Sequence, residues 1–256
     1  MASTKHLQYI DFSFGNISIR IKQNQSSFLT GTTIWDASHV LGDYLNNIFR
    51  KKSNSISKPP LQGKYCLELG SGCGLTGILV TLLGANTVLT DRKDTLFILE
   101  DNVGSNVSNF SKTQTAFRTI TDTENETTKE LDNGMTMAIG QALVKELDWE
   151  QPVSKDIYDP ETPDHIEYDY VLAADCVFNI EMLDPFINTL VRVCGPHTQA
   201  FVAMERRDAD VINSFLTRVE ERGFTWNRIP KNKLLKVDGV AGVVEVYKLR
   251  VKKTKK

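Results

Sequence analysis

Three glycines at alternate positions, Gly70, Gly72 and Gly74, interrupt the run Lys64-Tyr-Cys-Leu-Glu-Leu-Gly-Ser-Gly-Cys-Gly-Leu-Thr-Gly77, and an acid, Glu68, precedes them. A backbone without Cβ atoms at those points turns sharply and lets a ligand come close. The flanking residues read as a buried strand and the start of a helix that Gly84 ends, so a flat or phosphorylated ligand is expected over the turn.

Gly72-x-Gly74-x-x-Gly77 also satisfies the dinucleotide pattern, in which a pyrophosphate sits on a helix N-terminus. Glu68 weighs against that ligand, because a carboxylate just before the turn repels a diphosphate and welcomes a cation. The next strand, Asn86-Thr-Val-Leu-Thr-Asp91, ends in an acid suited to gripping both hydroxyls of a ribose. An acid on each side of a glycine turn suits a positively charged nucleoside such as S-adenosylmethionine. NAD and an unliganded βαβ turn are the competing readings.

A second stretch, Tyr168-Asp-Tyr-Val-Leu-Ala-Ala-Asp-Cys-Val-Phe-Asn179, has the continuous apolar run of a central parallel strand and closes on Asp175. Ligands of open α/β sheets lie beyond the carboxyl ends of the strands, so Asp175 is expected in the crevice with Gly70 and Asp91. The bland alternative is that Asp175 caps the next helix. Glu205-Arg-Arg-Asp208, after a later strand, reads either as part of a substrate path or as an exposed charged loop.

The elements that must hold these residues follow from periodicity. Leu7–Phe14 and Ile17–Ile21 alternate apolar and polar around Gly15-Asn16, a hairpin signal ahead of the main sheet. Thr30 to Leu45 spaces Ile34, Ala37, Val40, Leu41 and Leu45 as an amphipathic helix with Trp35 in its first turn, either as core or as a site wall. His39 reads as structural. Residues 50–63 read as a polar connection, Thr95 to Asn109 as a helix, and Ala142 to Trp149 as a strand. Residues 111–136 lose all periodicity and read as an exposed polar insertion. Helices at 181–193 and 208–222 and strands at 199–204, 224–229 and 240–251 complete a repeated βα pattern. A doubly wound sheet carrying one antiparallel strand is predicted.

Length and composition bound the rest. The 256 residues are 41% hydrophobic and 24% charged with net charge −2, ordinary for a globular chain of one larger domain. The only basic run is the terminal Arg250-Val-Lys-Lys-Thr-Lys-Lys256, so no nucleic-acid partner is expected. Cys66, Cys73, Cys176 and Cys194 lack zinc-site spacing and read as reduced thiols. No apolar run approaches the ~20 residues that span a bilayer. The expected protein is cytoplasmic and monomeric, with no metal and no membrane partner.

Together, the Glu-Leu-Gly-Ser-Gly-Cys-Gly turn, the upstream Trp-Asp-Ala helix, Thr-Asp-Arg, Lys-Glu-Leu-Asp-Trp and Ala-Ala-Asp-Cys-Val-Phe resemble the seven-strand, S-adenosylmethionine-dependent protein-lysine methyltransferases of the family-16 type. The resemblance runs from about Gly31 to Val251 outside the insertion. It implies a Rossmann-like methyltransferase fold with sheet order 3-2-1-4-5-7-6, an N-terminal β extension over residues 1–30, a methyltransferase domain over 31–251 and a basic tail at 252–256. It also implies that Trp35, Gly70, Ser71, Gly72, Asp91, Trp149 and Ala174 contact the cofactor, beside Glu68, with Asp91 on the ribose and Trp149 on the adenine. Asp175 would open an Asp-x-x-Tyr segment beside the substrate lysine. The fourth position here is Phe178, so the family's usual hydroxyl is missing and an aromatic face remains to meet a cationic head or to serve as core. The implied substrate is a protein such as a translation elongation factor or an Hsp70-type chaperone. A small-molecule methyltransferase, a nicotinamide oxidoreductase and a non-catalytic binding domain are the alternatives.

Overall fold

A computed structural model describes residues 6–24, 26–27, 29–52, 58–108, 110, 128–130, 136–158, 167–235 and 244–253. The chain opens with a hairpin of β1 (Tyr9–Phe14) and β2 (Ile17–Lys22). Ile10, Phe12, Phe14, Ile17, Ile19 and Ile21 are buried while most of their neighbours are exposed, the alternation of a half-buried ribbon. These six residues share one core with the helices that follow, so the extension is packed into the body of the protein.

Helix α1 (Asp36–Lys52) starts and ends later than expected. Thr30–Thr32 form a separate 3-10 turn and Thr33 is extended, leaving Asp36 to open the helix, where its charge favours the amide ends. The apolar stripe continues to the buried Phe49, so the first residues of the presumed 50–63 connection are helical. Arg50 donates to Asn46 Oδ1 at 2.7 Å and to Asn16 Oδ1 at 2.6 Å, tying the helix end to the hairpin turn.

The body alternates strand and helix: β3 (Tyr65–Leu69), α2 (Leu75–Leu82), β4 (Asn86–Asp91) and α3 (Leu96–Asn106). A short pair, β5 (Thr128–Glu130) with β6 (Thr136–Ala138), precedes β7 (Ala142–Glu146), β8 (Tyr170–Ala174) and α4 (Leu183–Val193). The chain closes with β9 (Gln199–Glu205), α5 (Ala209–Glu221), β10 (Phe224–Arg228) and β11 (Val244–Val251). Residues 111–127 and 131–135 of the predicted insertion lie outside the described residues, but 128–130 pair antiparallel with 136–138, so strand pairing is present where none was expected. The α3 helix stops at Asn106 because Val107 turns extended. Strand β7 stops at Glu146, leaving Trp149 in the turn beyond it. At the basic end, Lys252 N donates to Gly223 O at 2.7 Å, so the tail's first residue is held by the main chain.

The main sheet runs β7-β4-β3-β8-β9-β11-β10. Counted in chain order within this sheet, that is the expected 3-2-1-4-5-7-6. The pairs β3–β4, β3–β8, β4–β7 and β8–β9 are parallel, and β11 runs antiparallel to both its neighbours. One face packs against α1, α2, α3 and the hairpin, and the other against α4 and α5. Helix α2 is buried along its whole length, which its run of apolar residues requires. Among the described residues, no helix is long and apolar enough to cross a membrane.

Strand order reverses between β3 and β8, and register aligns Leu69 with both Thr90 and Ala173. The loops after β3, β4, β7, β8 and β9 therefore open at one edge of the sheet, the place where such folds bind ligands.

Two asparagines lock the hairpin onto this edge. Asn102 Oδ1 accepts from Lys22 N at 2.8 Å, and its amide donates to Lys22 O and to Cys73 O, both at 3.0 Å. One helical turn on, Asn106 accepts from Arg20 N at 3.0 Å and donates to Arg20 O at 2.8 Å. The pair occupies the outer edge of β2 as a neighbouring strand would.

Candidate active site

A cavity of about 450 Å³ opens at this edge, within the size range of small-molecule sites. Of the residues singled out from sequence, Trp35, Glu68, Gly70, Ser71, Gly72, Asp91, Trp149, Ala174, Asp175 and Phe178 border it, whereas Gly74 and Gly77 lie behind it in the turn and helix.

The glycine turn forms one wall. Gly70 and Gly72 have φ of +62° and +54°, the left-handed region that side chains avoid. A Cβ on Gly70 would lie 2.7 Å from Cys176 Cβ and 3.2 Å from the Trp149 ring, and one on Gly72 would lie 3.1 Å from Gly31 O. Ser71 N donates to Thr90 O at 2.8 Å, while its hydroxyl accepts from Thr90 N at 3.1 Å, so Ser71 secures the turn to β4.

Asp91 follows directly. One carboxylate oxygen accepts from Gly72 N at 2.7 Å and the other from Arg92 N at 2.8 Å. Burial raises its pKa and these hydrogen bonds oppose the rise. The Thr95 side chain also hydrogen-bonds to it, so three protein groups set this carboxyl at the cavity edge.

Glu68 differs from the expectation in its charge. Its side chain lies beneath the turn, where Oε2 accepts from Gly77 N at 3.1 Å. Burial pushes its pKa up to about 8, with hydrogen bonds from Ser71 and Gly77 opposing, so the uncharged form prevails at neutral pH. The sequence argument from a negative charge at Glu68 is corrected: the acid braces the start of α2.

Trp149 meets Phe186 edge to face, with ring centroids 5.0 Å apart, and its buried indole nitrogen has no hydrogen-bond partner. Phe178 is 50% exposed, which excludes the core reading. Trp35 is held by its indole nitrogen donating to Thr30 O at 2.9 Å.

Asp175 does not cap α4. Its φ is +56°, a strained value that Asp tolerates better than most residues and that concentrates at functional sites. Its amide donates to Ala203 O at 2.8 Å, Oδ1 accepts from Glu205 N at 3.2 Å, and Oδ2 accepts from Arg207 Nη2 at 2.5 Å. The charged run after β9 divides its work. Arg207 borders the cavity with its guanidinium carbon 4.6 Å from the centre of the Trp35 ring, Arg206 faces Glu245, and Asp208 caps α5 by accepting from Asp210 N.

Thr30, Gly31 and Cys176 also border the cavity and were not singled out from sequence. Gly31 packs against Thr95 and Gly72, and a glycine four residues ahead of Trp35 was the available signal. His39 is structural as read, set edge-on to Phe12 and Phe14, and burial lowers its pKa.

A glycine turn that leaves main chain uncovered, a buried acid beyond the second strand, and an aromatic plate with an unpaired donor fit a nucleoside. Asp175 and Phe178 in the same cavity add a hydrogen-bond acceptor and an aromatic face for an incoming amine. A family model described as lysine methyltransferase matches residues 13–118 and 109–222. The chain is 28% identical over 225 residues to mouse protein N-lysine methyltransferase METTL21A, covering 88% of this chain and 82% of that one. It is 27% identical over 223 residues to Xenopus tropicalis EEF1A lysine methyltransferase 3, covering 87% and 79%. Among solved structures, it superposes with a TM-score of 0.56 on the T. thermophilus 16S rRNA methyltransferase RsmC in complex with AdoMet and guanosine, at 14% identity over 96% of this chain and 50% of that one. Synechocystis magnesium protoporphyrin IX methyltransferase with bound SAH gives 0.53 at 11% identity over 84% of each chain. These two likenesses speak to the fold alone.

Proposed function

The chain belongs to the lysine methyltransferase family and uses S-adenosylmethionine, and we propose that it methylates a lysine side chain of a cytosolic protein, with a translation elongation factor or an Hsp70-type chaperone as the first substrates to test. The observation that carries this reading is one cavity bordered by both the Gly70–Gly72 turn with Asp91 and the pair Asp175 and Phe178. The relative named for EEF1A supports the elongation factor. Four free cysteines support a reducing, cytoplasmic setting.

When bound, S-adenosylmethionine supplies an electrophilic methyl group carried on a sulfonium. In our reading the bare main chain at Gly70 and Gly72 gives the nucleoside room, Asp91 accepts from the ribose hydroxyls, and Trp149 and Ala174 border the adenine. Trp35 and Ser71 complete the wall. The acceptor amine reacts in its neutral form, which a partly desolvated site favours. Asp175 accepts a hydrogen bond from that amine and aligns its lone pair, acting as an orienting group because a carboxylate is too weak a base for an ammonium. Phe178 turns its ring to the cationic head. Positioning of this kind accounts for ~7–11 kcal/mol of such barriers.

The test is incubation of the protein with radiolabelled S-adenosylmethionine and purified elongation factor 1A or Hsp70, wild type beside Asp175→Asn, followed by mass spectrometry of the labelled band. Labelled lysine that falls at least tenfold in the variant is expected. Absence of lysine-bound label from both proteins and from a whole-cell extract overturns the reading.

A further inference from the structure

Among the described residues, Arg207 is the one cavity-lining cation that rests on an aromatic face and on two acids at once. Its guanidinium carbon stands 4.6 Å from the Trp35 ring centre, Nη2 donates to Asp175 Oδ2 at 2.5 Å, and the same nitrogen pairs with Glu205 Oε2. Asp175 is almost wholly shielded, with 2% of its side chain accessible, whereas Arg207 retains 39%. The buried partner is therefore fixed by the fold and the arginine is the part free to swing toward solvent. Nothing in α5 depends on it, since Asp208 caps that helix and Arg206 is engaged by Glu245.

An indole face flanked by two carboxylates is a cation site, and an alkylammonium asks for the same groups. We propose that Arg207 fills the acceptor subsite as an internal surrogate for the substrate lysine, that Asp175, Glu205 and the face of Trp35 turned away from the nucleoside are the walls of that subsite, facing Phe178, and that an incoming lysine must displace the guanidinium to reach Asp175. This rests on the methyltransferase reading for its meaning, but not for its test. The latch adds a selection step. A side chain without a cationic head has nothing to exchange for the pair it must break, so only lysine-like groups open the site, and the ammonium that enters must then give up its proton to solvent before the neutral amine attacks. Glu205 becomes a specificity residue, because it supplies the second acid that makes the subsite selective for a cation over a neutral amide or alcohol.

The probe is n-butylammonium, titrated with no methyl donor present. The protein has three tryptophans, so the Trp35 indole N–H signal is identified in a ¹⁵N-correlated spectrum by its loss in Trp35→Phe. In Arg207→Ala, and in Arg207→Met, which keeps the methylene bulk, the signal should move saturably at millimolar butylammonium, with a dissociation constant at least tenfold below that of the wild type. Adding Asp175→Asn to either variant should abolish the shift. Equal affinity in wild type and variants overturns the proposal, as does no saturable shift in a variant whose unfolding midpoint matches wild type, or a shift that survives Asp175→Asn. A protein that transfers no methyl group could still pass this titration, and an active methyltransferase could fail it.

Discussion

Glu68 Oε2 accepts a hydrogen bond from Gly77 N at 3.1 Å, so a carboxyl with almost no solvent contact braces the first turn of the helix behind the glycine turn. Its folded pKa of about 8 lies above the ordinary 4.5, and burial is the main cause. Between those values the folded protein holds a proton that the unfolded chain has lost, so this group's contribution makes stability fall as pH rises through that window. Unfolding midpoints measured from pH 5 to 8.5 should decline less steeply in Glu68→Gln than in wild type. An unchanged slope would show that Glu68 is ionised in the fold.

Gly70→Ala should lose both stability and cofactor. The left-handed backbone alone costs about 1–2 kcal/mol with a Cβ present, and the added atom would press on Cys176 at 2.7 Å. Calorimetry with S-adenosylhomocysteine should register a drop in affinity of more than tenfold, and chemical denaturation an earlier midpoint.

Asp91→Asn keeps the shape and removes the charge. A hydrogen bond to a charged acceptor contributes about 1.5–3 kcal/mol, so affinity for S-adenosylhomocysteine should fall ~10–100-fold. The fold should lose stability too, because both carboxylate oxygens accept from main-chain N–H groups, of Gly72 and Arg92, and an Asn turns its NH2 against one of those donors. Wild-type affinity in this variant would remove Asp91 from the site.

Asn102→Ala strands Lys22 N, Lys22 O and Cys73 O at once. Lost partners for buried polar groups cost about 1–3 kcal/mol each, and partial hydration of this edge brings the expected total to ~2–4 kcal/mol. Urea denaturation measures it directly. Because Cys73 sits in the glycine turn, S-adenosylhomocysteine binding should weaken as well.

Much of this architecture could be read locally. Alternation across Gly15-Asn16 marked the hairpin, and the unbroken apolar run before Asp175 marked β8 as a strand covered on both faces. The glycines, Asp91 and Trp149 converge because the strands that carry them end together, which topology guarantees once the βα order is recognised. What stayed hidden depends on partners far apart in the chain. Whether Glu68 carries a charge is decided by how deeply α2 covers it, and no spacing encodes that. Arg207 sits in a run of charges that reads either as substrate path or as exposed loop, and only the fold separates it from Arg206. The start of α1 was misplaced because apolar spacing is blind to Thr33 turning extended.

The asparagine pair of α3 has a consequence for how copies of this protein coexist at high concentration. By occupying the main-chain groups of Arg20 and Lys22, it takes those two residues of β2 away from any stray polypeptide that would zip onto them. Strand-on-strand growth through those residues would first have to break the bonds of two amide side chains. A variant lacking both should show it first as turbidity on storage.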